Sequence, residues 1–281
     1  MELKQDPNPI ILVDTHVHIY DCFDLDRFLD SAWNNFSIQA NKYQSHQNFT
    51  GILLLTENSN QNWFASLSSW IKDPNDRAPL SKRWTFSPTA ETYSLYASNS
   101  QGHKLCLIAG RQIITEEKLE VLALMTDGDL TDGRSLEATI QEIQNVGGLP
   151  VLPWGVGKWL GKRGQLIEGV LQTDRPSPIF LGDNSGRPQF WSRPPYFQAA
   201  EQKGWRILPG TDPLPLAWEA SRPGRFGLRL AGTIDSSEPG KQLRSMLLNS
   251  EVSCPAYGAL ETPWRFIRNQ IALRIPSKSD R

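Results

Sequence analysis

The sequence predicts an α/β protein, built as a distorted TIM-like (β/α)7-8 barrel. Short apolar runs rich in β-branched residues, typical of strands buried on both faces, occur at 10–14, 51–55, 149–153, 178–181 and 205–209. Segments with helical spacing lie between several of these runs, and some of them end at glycine. Such alternation favours a parallel sheet or barrel with the helices outside. We expect one domain over residues 1–281.

The N-terminal elements begin with a strand at 10–14, a helix from Asp24 or Asp26 to about Gln39, and a strand at 51–55, which together form a βαβ unit. A helix is predicted at 62–72. Aromatic and polar residues alternate over 84–98, which indicates a hairpin within an irregular excursion near 73–103. Two further strands are expected at 104–115 and 120–126.

The C-terminal half returns to regular alternation. Helices are predicted at 135–146, 165–172 and 195–203, separated by the strands at 149–153 and 178–181 and followed by the strand at 205–209. After Asp212 the pattern weakens to a short helix at 214–220, a strand at 226–231, a helix at 241–248 and a closing segment at 264–275.

Composition restricts the partners and the compartment. The chain has 29 Lys and Arg against 30 Asp and Glu, which leaves no basic footprint, so we expect no nucleic-acid partner. It has no apolar run of membrane-spanning length, so we expect no membrane association. Its three cysteines are far apart and form no Cys-x-x-Cys motif, which favours a reducing, cytoplasmic location. The oligomeric state stays open.

The four histidines divide into two groups by their position relative to the strands. His16 and His18 follow the first strand, whereas His46 and His103 precede strands and fall at the opposite end. Catalytic residues of such barrels lie at the carboxyl ends of the strands. Only His16 and His18 are therefore expected to take part in chemistry.

The spacing His-x-His at the end of a strand points both imidazoles to the same side. There His16 and His18 can bind one divalent ion while Asp212, which ends a later strand in Gly-Thr-Asp-Pro, completes the set. Two histidines and one carboxylate suit Zn²⁺, Mn²⁺ or Fe²⁺ and leave positions open for water and substrate.

The segment Asp-Thr-His-Val-His at 14–18 resembles the opening motif of PHP (polymerase and histidinol phosphatase) domains and, more distantly, of the amidohydrolase superfamily. The similarity continues in order along much of 10–215. Four later segments stand where PHP proteins have Thr-Asp-His (here 55–58), Gly-x-Glu (109–113), Ala-His-Pro (148–154) and Gly-Ser-Asp-x-His (210–214). Several ligand positions of that family are substituted here, by Asn58, Gln112, the 153–154 region and Leu214. We therefore expect one bound ion and not the three-metal centre of the family.

The resemblance implies a metal-dependent hydrolase that acts on a small anionic substrate, possibly a phosphate ester, through metal-activated water. Asp183 or Glu57 would accept a proton, and spacing does not choose between them. Residues 152–164 combine glycines, tryptophans and cations after a strand. Lys158 and Arg187, with Arg111 as a further cation, could hold the anion, beside Trp154 as a wall and Asn184. The competing interpretation of 152–164 is an ordinary solvated loop.

Two alternatives remain at this point. The chain could be a non-catalytic PHP-like barrel that has lost its metal site and binds a ligand or a protein partner, which the substituted ligand positions favour. It could also be a metal-dependent lyase on the same scaffold, since fold alone does not determine function.

Overall fold

The computed structural model describes residues 8–45, 48–73, 80–175 and 177–274. The strands are β1 (Ile10–Val17), β2 (Phe49–Leu55), β3 (Trp84–Pro88), β4 (Ser94–Asn99), β5 (Lys104–Ile108), β6 (Gly110–Ile114), β7 (Glu120–Leu124), β8 (Leu149–Pro153), β9 (Phe180–Asn184), β10 (Ile207–Gly210), β11 (Gly227–Ala231) and β12 (Ala256–Tyr257). The α-helices are α1 (Leu25–Lys42), α2 (Trp63–Lys72), α3 (Leu136–Asn145), α4 (Lys162–Gln172), α5 (Pro195–Gln202), α6 (Pro239–Leu248) and α7 (Pro263–Ala272), with a 3-10 helix at Ala217–Ser221. None of the helices in these ranges is both long and apolar enough to cross a membrane.

The strands form two mixed sheets. The first sheet has seven strands in the order β12-β11-β1-β2-β5-β4-β3, and the second has five in the order β10-β9-β8-β7-β6. Strands β1, β2 and β5 run parallel, as do β8, β9 and β10, while the remaining neighbours are antiparallel. The carboxyl ends of β1 and β2 therefore share one edge of the first sheet.

The predicted TIM-like barrel is wrong, because the described strands make two separate mixed sheets and not a closed parallel barrel. Apolar runs and helical spacing identify strands, but they do not reveal the direction in which neighbouring strands pair. The antiparallel members come mainly from the predicted excursion, where β3 and β4 form a hairpin on β5, and from the β6–β7 hairpin. Residues 74–79 of that excursion lie outside the described ranges.

The predicted strand at 104–115 is two strands that belong to different sheets. The break falls at Ala109, between β5 in the first sheet and β6 in the second. Gly110 makes the crossing possible, since a Cβ there would lie 2.4 Å from the Leu55 carbonyl oxygen and 2.6 Å from that of Ala123. A larger residue would separate the two sheets where they approach each other.

In the described part of the chain, three apolar layers hold the sheets and helices together. One lies between the first sheet and the helices α1 and α2, a second between the two sheets under α6, and a third between the second sheet and α3, α4 and α5. At the carboxyl ends of β1 and β10 the sheets are joined by single hydrogen bonds, such as Thr15 Oγ1 to the Pro209 carbonyl at 2.9 Å. The polar residues predicted to do chemistry lie along this junction.

Candidate metal centre

His16, His18 and Asp212 converge on one point at the junction of the sheets. The Nε2 atoms of the two imidazoles are 3.1 Å apart. Oδ1 of Asp212 lies 3.4 Å from Nε2 of His16 and 3.5 Å from Nε2 of His18. Within the described ranges, these residues form the single group of three or more His, Cys, Asp or Glu side chains close enough to share a metal ion.

An irregularity in β1 turns both histidines toward this point. Ile10 and Leu12 pack with α1, while Ile11 and Val13 lie between the sheets. The register with β2 shifts between Asp14 and Val17, and beyond the shift Val17 packs on the α1 side. A bulge of this kind re-aims the side chains that follow it. Without it, strict alternation would direct the two imidazoles into the apolar layer under α1.

Asp212 is held by its own backbone against β1. Its N–H donates to the His16 carbonyl oxygen at 2.8 Å, and its φ of 45° lies in the left-handed region that non-glycine residues seldom adopt. Gly210 allows this approach, because a Cβ there would lie 2.4 Å from the His16 nitrogen. Strained residues of this type persist where surrounding contacts fix them, and they concentrate at functional sites.

Asn184, at the end of β9, orients the Asp212 carboxylate. Its Nδ2 donates to Oδ2 of Asp212 at 2.9 Å and to the Trp154 carbonyl oxygen at 2.8 Å. Oδ2 is thereby occupied, and Oδ1 faces the imidazoles. Partners of this kind fix the geometry of metal-ligating carboxylates.

The electrostatics favour a neutral imidazole and an ionised carboxylate. Burial, and next to it the charge of His16, lowers the pKa of His18 to about 3. Burial acts to raise the pKa of Asp212, but the two imidazoles, followed by Lys158, hold it below its ordinary value. These are the protonation states that a divalent ion requires of its ligands.

The three donors fit a divalent transition metal. An ion about 2.1 Å from two donors at the tetrahedral angle would hold them roughly 3.4 Å apart. The observed separations of 3.1, 3.4 and 3.5 Å bracket that value. A His-His-carboxylate set of this kind accepts Zn²⁺, Mn²⁺ or Fe²⁺, and the geometry does not select among them.

Asp14 belongs to the same motif as His16, and its carboxylate makes hydrogen bonds that connect segments of the fold. Its carboxylate is fully buried and accepts hydrogen bonds from the Thr211 N–H at 2.8 Å, the Thr211 hydroxyl at 2.6 Å and the Gly224 N–H at 2.9 Å. Burial raises its pKa to about 7 in spite of these donors. Asp14 thus ties β1 to the segment that carries Asp212.

Asp183 and Arg187 do not lie at the candidate metal centre. They form a bidentate pair, with Arg187 Nε and Nη2 at 2.9 and 2.8 Å from the two Asp183 oxygens, and both side chains are largely buried. Asp183 precedes Asn184 on β9, so the two side chains point to opposite faces of the sheet. The sequence did not indicate which face of β9 each side chain would occupy.

Glu57 and Arg111 lie beside a different cavity. Both Glu57 carboxylate oxygens accept backbone N–H groups, of Trp63 and Phe64, at the start of α2. Burial raises the pKa of Glu57 to about 7. Glu57 and Arg111 bridge the two sheets through their backbones and line a cleft of about 990 Å³, bounded by α2 and the β3–β4 turn.

Lys158 and Trp154 lie beside the candidate metal centre. Together with Asn184 and Asp212 they line a cavity of about 190 Å³. Lys158 Nζ forms an ion pair with Glu120, and the Trp154 ring packs edge-on against Trp191 at 5.8 Å. The same cavity is lined by Leu214, which stands at a substituted ligand position of the family motif, and by residues that the sequence did not single out: Arg222, Glu261, Phe266 and Gln270. No local motif marks these four residues, because they come from later segments, between residues 222 and 270.

His103 does not contribute to this cluster. His103 precedes β5, and its ring stacks on Trp33 with the centroids 3.4 Å apart. His46 lies outside the described residues.

Comparison by sequence identifies no relative, since neither a protein-family model nor a curated protein matches the chain. Comparison of structures identifies distant neighbours. PsfC from Pseudomonas syringae PB-5123 aligns with a TM-score of 0.54 and 13% identity over 95% of this chain and 98% of its own. The lesion-specific endonuclease PfuEndoQ from Pyrococcus furiosus aligns with a TM-score of 0.51 and 10% identity over 87% of this chain. This chain spans 57% of the endonuclease.

Both neighbours have PHP-like folds, so the resemblance seen in the sequence is supported at the level of the fold. The expectation that nucleic acid is excluded as a partner is wrong, because a neighbour with this fold is an endonuclease. The reason for the error is physical: near-zero net charge describes the whole chain and does not describe the local charge around one site.

Proposed function

We propose that the protein is a metal-dependent hydrolase that acts on a small anionic substrate, a phosphate ester, at the junction of the two sheets. The observation that carries the proposal is the convergence of His16 Nε2, His18 Nε2 and Asp212 Oδ1 within 3.1 to 3.5 Å of one another. The PHP-like fold of the endonuclease neighbour supports hydrolysis of a phosphate ester as the reaction class.

A divalent ion bound by these residues would lower the pKa of water and polarise a phosphoryl oxygen. The chain supplies the rest of the site. His16, His18 and Asp212 would hold the ion, and Asn184 fixes the Asp212 carboxylate through Oδ2, which leaves Oδ1 facing the two imidazoles. Lys158 lies on the cavity wall, where its ammonium is available to an anion if it leaves Glu120.

The two proton acceptors expected from the sequence, Asp183 and Glu57, are committed to other partners. Asp183 is paired with Arg187, and Glu57 accepts the first N–H groups of α2. For either residue to accept a proton at the metal centre, its carboxylate would have to leave these partners. Their catalytic role stays a prediction, which the variant Asp183→Asn tests for Asp183.

The first test is the metal content of protein purified without chelator. We expect about one equivalent of a transition metal, lost in the double variant His16→Ala/His18→Ala and retained in the control His103→Ala. The same samples are then assayed on phosphomonoesters, small amides and DNA oligonucleotides, with and without EDTA. Less than about a tenth of an equivalent of metal, unchanged in the double variant, would contradict the proposal and favour a non-catalytic binding protein.

A further inference from the structure

The cavity beside Asp212 has a cationic residue that the sequence did not reveal. Arg222 lines this cavity, although its relative exposure is only 4%. It follows the 3-10 helix and is brought to the site by the chain between β10 and β11. Its charge contributes to the lowered pKa of Asp212, which places it within electrostatic reach of the metal centre.

Buried acceptors fix the guanidinium of Arg222. Nη1 donates to Glu219 at 3.2 Å and to Glu261, and Nη2 donates to the Ser185 hydroxyl. Glu219 and Glu261 are themselves buried and are braced by Arg265 of α7 at 3.3 and 3.6 Å. The planar fork therefore has one orientation and needs no rearrangement when a ligand arrives.

The guanidinium retains donors for a ligand. It has five N–H groups, and the hydrogen bonds to Glu219, Glu261 and Ser185 account for three. These bonds leave the Nε hydrogen and one Nη2 hydrogen on a residue that lines the cavity. Paired donors on a planar cation match the oxygens of a phosphate or carboxylate.

The charge balance of the cavity makes anion binding depend on the metal. Its lining has two cations, Lys158 and Arg222, and three carboxylates, those of Glu120, Asp212 and Glu261. Without a divalent ion the lining is net negative and repels an anion. With the ion bound it becomes net positive. An anion in the cavity would then be attracted both by the ion and by the arginine.

We propose that Arg222 binds the oxyanion of the substrate, and that the substrate class is a phosphate monoester with a compact leaving group. This inference rests on the proposed function, because the metal supplies the net positive charge. The volume of about 190 Å³ admits a phosphate group and a few further atoms, with Leu214 and Phe266 as an apolar wall for the remainder. Arg187 does not serve this purpose, since its guanidinium is paired with Asp183.

The test measures binding of inorganic phosphate to the metal-loaded protein by calorimetry, with metal content determined on the same samples. Arg222→Gln removes the charge, and we expect it to weaken phosphate binding roughly 10- to 100-fold, the effect of one or two charged hydrogen bonds. Arg222→Lys keeps the positive charge but lacks the planar guanidinium, so its affinity for phosphate should lie between those of Arg222→Gln and the wild type. The matched control is Arg193→Gln, which removes an arginine from an exposed pair with Glu201.

Arg222→Gln leaves Glu219 and Glu261 buried without their cation, so a second variant avoids that network. Gln270→Glu places a carboxylate of the same size on the cavity wall. We expect it to weaken phosphate binding at least about tenfold and to leave the metal content unchanged. Gln165→Glu, at an exposed position of α4, is its control.

Two results would overturn the inference about Arg222 without contradicting the proposed metal site. One is phosphate affinity within twofold of the wild type in Arg222→Gln; should that variant fail to fold, unchanged affinity in Gln270→Glu decides. The other is metal-loaded wild-type protein that does not bind phosphate. Absence of metal from the wild type overturns the proposed function as well, and the metal assay identifies that case.

Discussion

Asn184 donates a hydrogen bond of 2.9 Å to Oδ2 of Asp212, and this bond decides which carboxylate oxygen faces the two imidazoles. The same amide group donates to the Trp154 carbonyl at 2.8 Å, which fixes the amide in turn. A residue that the sequence suggested for substrate contact thus lies behind a metal-ligand candidate.

Replacement of Asn184 by Leu should weaken metal binding. Without the amide, Asp212 is free to rotate, and loss of such an outer partner reduces metal affinity by about 10- to 100-fold. The measurement is the metal dissociation constant, by competition with a coloured chelator. Asn145→Leu, at the end of α3, is the control, and equal affinities in the two variants would show that Asn184 does not position the ligand.

Replacement of Gly210 by Ala should lower both the stability of the protein and its metal content. The added Cβ would lie 2.4 and 2.5 Å from the nitrogen and Cβ of His16, so β10 must move away from β1. We expect a loss of about 1 to 3 kcal/mol in the free energy of unfolding, measured with urea.

The control for Gly210→Ala is Gly169→Ala, inside α4, where an added Cβ has nothing within 4 Å. Alanine there should stabilise the helix by about 0.5 to 1 kcal/mol. A Gly210→Ala protein with wild-type stability and metal content would contradict the close approach of the two strands.

Glu57 should make stability fall as the pH rises. Burial raises its pKa from 4.5 to about 7 in the folded protein. Between these values the folded protein holds a proton that the unfolded chain has released, so the stabilisation is complete below about pH 4.5 and lost as the pH rises through about 7. The pKa of Asp14 is raised to about 7 as well and acts in the same direction.

Glu57→Gln should therefore reduce the dependence of unfolding free energy on pH, and the part due to Asp14 should remain. The measurement is urea unfolding at several pH values from 4.5 to 7.5, with the exposed Glu168→Gln as control. An unchanged slope in Glu57→Gln would mean that its carboxyl titrates in the folded protein as it does in the unfolded chain.

Asp183→Asn distinguishes a structural ion pair from a catalytic base. The variant leaves Arg187 buried without its carboxylate, and we expect a loss of about 3 to 5 kcal/mol in stability with metal affinity unchanged. Glu201→Gln breaks a matched pair with Arg193 whose partners are both 48% exposed, and it should cost about 1 kcal/mol or less. A base would instead show a large fall in kcat with an unchanged urea midpoint.

The sequence by itself located most of the strands and helices and identified the metal-ligand candidates. Apolar runs and glycine stops located most elements, because burial and backbone freedom leave local signatures. The His-x-His spacing after the first strand and the Asp in Gly-Thr-Asp-Pro were sufficient to select His16, His18 and Asp212, which the structure brings together. These signals are local, and each depends on only a few consecutive residues.

Only the tertiary structure decided how the strands pair and which face each polar residue occupies. The direction of β7 relative to β8, and the register shift that turns His16 inward, depend on contacts between distant segments. The same applies to the pairing of Asp183 with Arg187 and to the arrival of Arg222 beside Asp212. One residue of shift in a strand exchanges its two faces, and the chain fixes that shift through packing and hydrogen bonds that no short segment contains.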